Sequence, residues 1–145
     1  MMKRKFTPAQ VTEGKVDYNL EEFLRDLWED VKSNISKEVL NRLPEGKKRD
    51  RKFNKATREI FNFVCDICYL AVVDKPYLRL VLKQSNEVEK ELIKKTMKEN
   101  ESNIDMLHAI LRKHIAKGLK DGLTKKQAVK AAVEYSNELI SKWKR

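Results

Sequence analysis

Apolar residues recur every three or four positions through most of this chain. From Leu20 the series Leu20, Phe23, Leu24, Leu27, Trp28, Val31, Ile35, Val39 and Leu43 holds one helical phase as far as Pro44. Asn19 ahead of LEEF, with Glu22 three residues on, is a capping-box variant that predicts where this helix starts. A second helix is predicted from about Lys55 to Val73, opened by Asn54. Beyond Ile60 it is apolar almost all round, which marks it as the central, buried element. Asp74-Lys75-Pro76 makes the break, because proline at a helix start loses no needed hydrogen bond.

The third segment carries Tyr77, Leu78, Val81, Leu82, Val88, Leu92, Ile93 and Met97, with Ser85 and Asn86 interrupting it, so it reads as one helix or as two. Ser102 opens a fourth helix on Ile104, Leu107, Leu111 and Ile115, and Gly118 is expected to close it. After the turn GLKDG, Thr124 and Gln127 form a capping box for a fifth helix on Val129, Ala132, Val133, Ile140 and Trp143. The pattern predicts an all-α fold: one helical bundle of about five helices spanning residues 1–145. Residues 1–18 are expected to be an irregular N-terminal arm, and residues 44–54 a basic loop.

Composition agrees with this and adds one feature. Gly (4) and Pro (3) are scarce, as suits long helices with few turns, and 37% of the residues are charged. The net charge of +10 is segregated: the surplus lies at the N-terminal tip, in residues 44–58 and in residues 112–145, while the stretches between are net acidic. Separated basicity is what a phosphate-binding surface requires, since each phosphate contact releases condensed counterions. No apolar run approaches the roughly 20 residues of a membrane span. The opening MMKRKFTPAQ has charge but no apolar core of a secretory signal. With two cysteines and no such signal, a reducing cytoplasm is the expected setting.

Few residues invite chemistry. CDIC (65–68) lies deep in an apolar helical run, where burial raises a thiol pKa, rather than at a helix N-terminus that would lower it. His108 and His114 are the only histidines, and six residues of helix turn them about 240° apart, so they do not converge on one ion. No phosphate-loop or dinucleotide-binding motif occurs. The expectation is a non-enzyme with no metal and no cofactor. The C-terminal LTKKQAVKAAVEYSNELISKWKR could be cut into a helix-turn-helix at EYSN, which would make a DNA-binding regulator. Its apolar spacing nevertheless continues in one phase, and no glycine marks the turn, so a single helix is the better account.

The basic stretches remain. In PEGKKRDRKFNK (44–55) the cations Lys47, Lys48, Arg49, Arg51 and Lys52 precede the expected start of the second helix, and Lys55 and Arg58 extend the cluster into it. Positive charge there opposes the helix dipole, so stability alone does not account for it. With the free N–H groups of a helix start, the cluster could cradle phosphate, and Phe53 could stack on an unpaired base. It reads equally as a solvated loop with Phe53 stapling the helix. Lys142, Lys144 and Arg145, flanking Trp143, offer a similar pairing of cation and ring at the C-terminus.

NKATREIFNFVCDICYLA (54–71) resembles a stretch of the small helical subunit of type III-A CRISPR effector complexes, through Thr57, Arg58, Ile60, Val64, Ile67 and Tyr69. YLR (77–79), ELIKK (91–95) and AAVEYSNELISKW (131–143) are similar to later segments of that family. Where the family usually has Tyr and then Gly-Arg, this chain reads KQSNEVEKE. The resemblance implies a non-catalytic subunit of an antiviral defence complex, stacked along guide and target RNA, with Arg58 the best-matched contact. The expected function is therefore RNA or single-stranded nucleic-acid binding through the basic loop and C-terminus, within a larger or self-associating assembly. A helical protein-interaction or oligomerisation module is the alternative, on the strength of the long apolar stripe through Phe23 and Trp28.

Overall fold

Side-chain caps and helix breakers divide the chain into seven helices among the residues described by the computed structural model, which are 6–34 and 47–144, with side chains from Asn54 in the second stretch. No strand occurs among them. The first helix, α1 (Pro8–Thr12), lies inside the expected irregular arm. Thr7 and Gln10 form a reciprocal capping box, Pro8 supplies a preset φ at the first turn, and fully buried Val11 anchors the turn to the core. Gly14, at φ +74°, takes the left-handed turn that follows.

Asn19 caps α2 (Leu20–Asn34) as expected, its Oδ1 accepting from the Glu22 N–H at 2.9 Å. Glu21 and Glu22 in the first turn suit the dipole, and Leu20, Phe23, Leu24, Leu27 and Val31 form the buried face. The predicted continuation through Ile35, Val39 and Leu43 to Pro44 lies outside the described residues.

The central helix, α3 (Lys47–Val73), begins eight residues earlier than predicted. Residues 47–54 are helix, not basic loop, and Asn54 is inside the helix rather than its cap. The physical reason is that Lys and Arg are good helix formers, and nothing between Gly46 and Asn54 breaks a helix. Its middle is buried on one face, with Phe61, Val64, Cys65, Ile67, Cys68 and Ala71 in the interior, while Ile60 is exposed and Phe63, Leu70 and Val72 are half-buried, so it is not covered all round as the pattern suggested.

Asp74 ends α3 and caps α4 (Lys75–Gln84), its Oδ1 accepting from the Tyr77 N–H at 3.2 Å. Ser85 and Asn86 then separate α4 from α5 (Glu87–Glu99), so the third segment is two helices. Asn86 caps the second of them through the Glu89 N–H at 2.9 Å. The next helix, α6 (Glu101–Lys120), runs past Gly118, and Gly122 at φ +96° makes the left-handed turn instead. Gly118 has a packing role: a Cβ there would sit 3.1 Å from the Ala128 Cβ, so its absence lets α7 (Lys125–Trp143) approach closely. The Thr124–Gln127 capping box opens α7, which continues unbroken through EYSN, so the helix-turn-helix alternative has no turn.

Two apolar clusters hold these helices. The larger joins α1, α2, α3, α6 and α7 around Phe23, Leu27, Phe61, Met106 and Leu107. The smaller joins α3 to α4 and α5 through Ile67, Ala71, Leu78 and Ile93, with Ile104 touching both clusters. No helix among the described residues is long and apolar enough to cross a membrane.

Candidate functional site

The cations singled out in the sequence divide into two groups once the helices are packed. Arg58 belongs to the fold. Its Nη1 donates to the Trp143 carbonyl at 2.7 Å, closing the C-terminal end of α7, and its guanidinium lies 4.8 Å from the centre of the Trp28 ring. Trp28 meets Phe61 edge-on at 5.3 Å, and Phe61 meets Trp143 at 6.1 Å, so Arg58 covers an aromatic trio drawn from three helices. Lys144 is also engaged, paired with Asp66 of α3. Lys142 is exposed beside a shallow hollow with Glu21, Arg58, Leu139 and Trp143. Arg58 and Lys144, both expected from the sequence to contact nucleic acid, each have a partner within the chain. Thr57, Val64 and Ile67, which also carry the family resemblance, are buried.

The second group lies on α3. Lys47, Lys48, Arg49, Arg51 and Lys52 occupy its first two turns, and exposed Lys55 the next. At 100° per residue Lys47, Lys48, Arg51, Lys52 and Lys55 fall within a sector of about 140°, and Asp50 and Phe53 fall outside it. In helical register, then, these five positions share one side of α3. The side chains of residues 47–53, and Arg145, lie outside the described residues.

CDIC is interior. Cys65 and Cys68 are buried on α3, and burial, reinforced by Cys68 and Asp66, holds the Cys65 thiol far above its ordinary range. Such a thiol stays protonated at neutral pH and is no nucleophile.

Sequence reasoning passed over a cleft between the 17–20 segment, α6 and α7. It is open to solvent, with a volume of about 460 Å³; buried Tyr18, Leu20, Ile110 and Leu111 form its floor, and Asp17, Asn19, Lys113, His114, Ala116, Lys117, Lys120 and Tyr135 line the rest. The imidazole of His114 stacks on Tyr135 at 4.9 Å with an interplanar angle of 2°. Burial, and secondarily Lys117, hold His114 below the usual histidine range, so the ring is neutral at physiological pH. Lys113 donates to the Val16 carbonyl at 3.3 Å and stands 4.0 Å from Asp17, tying the segment before α2 to α6. The spacing of Lys113, Lys117 and Lys120 was a legible signal, since it places all three on one face of a helix. Tyr135, from another helix, left no such trace.

No family model matches this chain, and no curated protein or solved structure shows significant similarity to it.

Proposed function

We propose that this protein is a non-catalytic helical subunit that binds RNA or another single-stranded nucleic acid through phosphate contacts along the first turns of α3. The observation that carries this reading is that Lys47, Lys48, Arg51, Lys52 and Lys55 fall in the first turns of α3, at positions that share one side of a helix. Like positive charges at i,i+4 positions in the first turns of a helix oppose the dipole and do not favour the helix by themselves, which a bound polyanion would offset. Phosphate contacts of this kind fix position without reading sequence. On this reading the protein serves a larger ribonucleoprotein assembly, the role implied by the resemblance to the type III-A small subunit.

The test replaces those five residues with Gln and measures binding to labelled single-stranded RNA, duplex RNA and duplex DNA as salt rises. Five phosphate contacts correspond to a slope of log affinity against log salt of about −3.5 for a single strand. The variant should lose most of that slope together with the affinity. Unchanged affinity in the variant rules the stripe out.

A second reading, an interaction module, is favoured by a separate surface. Val88 is 78% exposed, Leu92 52% and Ile60 44%, and the last two line a hollow of about 420 Å³ with Phe63 between α3 and α5. Apolar groups gathered in this way suit a protein partner. Light scattering of the wild type and of a Val88→Lys, Leu92→Lys variant tests it, with a larger species in the wild type alone as the expected result.

A further inference from the structure

The cleft beside α6 combines three features that packing does not need to bring together. Its floor is apolar, and its volume lies in the range that holds small ligands. It holds a stacked ring pair, His114 against Tyr135, and Tyr135 is 40% exposed as a residue. Lys113, Lys117 and Lys120 lie within about 60° of one another around α6. Among the described residues that line the cleft, Asp17 is the one carboxylate, and it already faces Lys113.

Ordinary helix energetics explains part of this. Lys117 and Lys120 are in the last turn of α6, where cations suit the negative pole of the dipole. That effect does not call for an open apolar hollow next to them, nor for an aromatic pair at its edge. The same pole would repel an anion, but it amounts to roughly half a charge, and two full positive charges outweigh it.

We infer that this cleft binds a nucleotide, with the base stacked on Tyr135 and the phosphate held by Lys117 and Lys120. The apolar floor takes the edge of the base and excludes water from it. Neutral His114 backs Tyr135 and keeps its ring fixed in one plane, which pre-organises the stacking surface. Lys113, held by Val16 and Asp17, fixes the opposite wall. The site is separate from the α3 stripe and does not depend on it. Its ligand is either a free nucleotide or the phosphorylated end of a strand, which present the same base and phosphate.

Calorimetric titration of the whole chain with AMP, ATP, adenosine, inorganic phosphate and a short oligonucleotide, with and without a 5′-phosphate, tests the inference. AMP or the 5′-phosphorylated strand should bind about tenfold or more tightly than adenosine or phosphate alone, since base and phosphate are held by different groups. Preference for AMP and ATP identifies a free nucleotide, and preference for the phosphorylated end identifies a strand. The Lys117→Gln, Lys120→Gln double variant should weaken binding about tenfold, and Tyr135→Ala about tenfold or more, by loss of stacking. All three positions are exposed, and folding of the variants is checked by melting temperature. Should Tyr135→Ala fail to fold, shifts of the His114 ring resonances on adding AMP in the wild type give the same information. The α3 stripe variant should bind AMP as the wild type does, so the two sites fail or succeed separately. No saturable binding at millimolar concentration, phosphate binding as tightly as AMP, or folded variants of unchanged affinity would each overturn the assignment.

Discussion

Arg58 on α3 and Lys117 on α6 are both cations on long helices next to aromatic rings, yet their surroundings differ in kind. Around Arg58 the helices close: a backbone carbonyl accepts its hydrogen bond, and Trp28 covers one face. Around Lys117 they stay apart, leaving a cleft with an apolar floor and a neighbouring histidine whose charge it opposes. The first arrangement satisfies the cation inside the chain, and the second leaves it facing open space. Net charge cannot tell these apart, because it counts both alike. Partners can.

The comparison is broken most forcefully at the seam between α3 and α7. Phe61 is fully buried and touches both Trp28 and Trp143. Phe61→Ala should cost about 3–5 kcal/mol, from lost transfer energy and the cavity left between the two indoles. Denaturant unfolding monitored by tryptophan fluorescence measures it directly. A loss below about 1 kcal/mol would mean that the seam does not hold the bundle together.

Arg58 sharpens the contrast with a smaller effect. Arg58→Ala removes a charged hydrogen bond and a cation–π contact, an expected loss of about 1–3 kcal/mol. Arg58→Lys keeps the charge without the flat, forked guanidinium, and should recover only part of that loss. In both variants RNA affinity should change little once the protein is folded. A variant of unchanged stability and much weaker RNA binding would return Arg58 to the ligand-contacting group.

These contrasts also mark how far the sequence could be read. Breaks governed by local chemistry were legible: Asn19, Asp74 and Thr124 each satisfy an amide three residues away, within the reach of pattern reasoning. Ser85 and Asn86 signalled an interruption, and the cap that Asn86 makes decided for two helices. Asn54 misled, because a capping residue embedded in helix formers has no end to cap. Gly118 misled for a tertiary reason: it is small because Ala128 of α7 packs on it, not because the helix stops. Arg58 and Trp143 are 85 residues apart, and no periodicity announces that bond. The cleft was half legible, in the spacing of its lysines on α6. Its other half, Tyr135, required the packing of α7 against α6 to be known.

The smallest expected effect separates the two regions by pH. His114 in the cleft is held below the ordinary value of 6.5, first by burial and then by Lys117. The folded state therefore takes up a proton less readily than the unfolded chain. Above about pH 6.5 both states are neutral at this position, and the contribution of the stack is fully present. As pH falls below that value the unfolded chain protonates first, and stability is lost until the lowered folded pKa is passed. Tyr135 stacks on the ring, Lys113 and Lys117 share the cleft with it, and among the described residues lining the cleft Asp17 is the one acid. His114→Phe keeps a ring against Tyr135 and removes the titration. The difference in melting temperature between the wild type and this variant should therefore change between neutral pH and about pH 5, with the wild type losing more. A constant difference across that range would mean that His114 titrates normally and that the cleft is more open to water than its geometry indicates. Arg58→Ala provides the control: the seam contains no histidine, so its deficit should stay level across the same window.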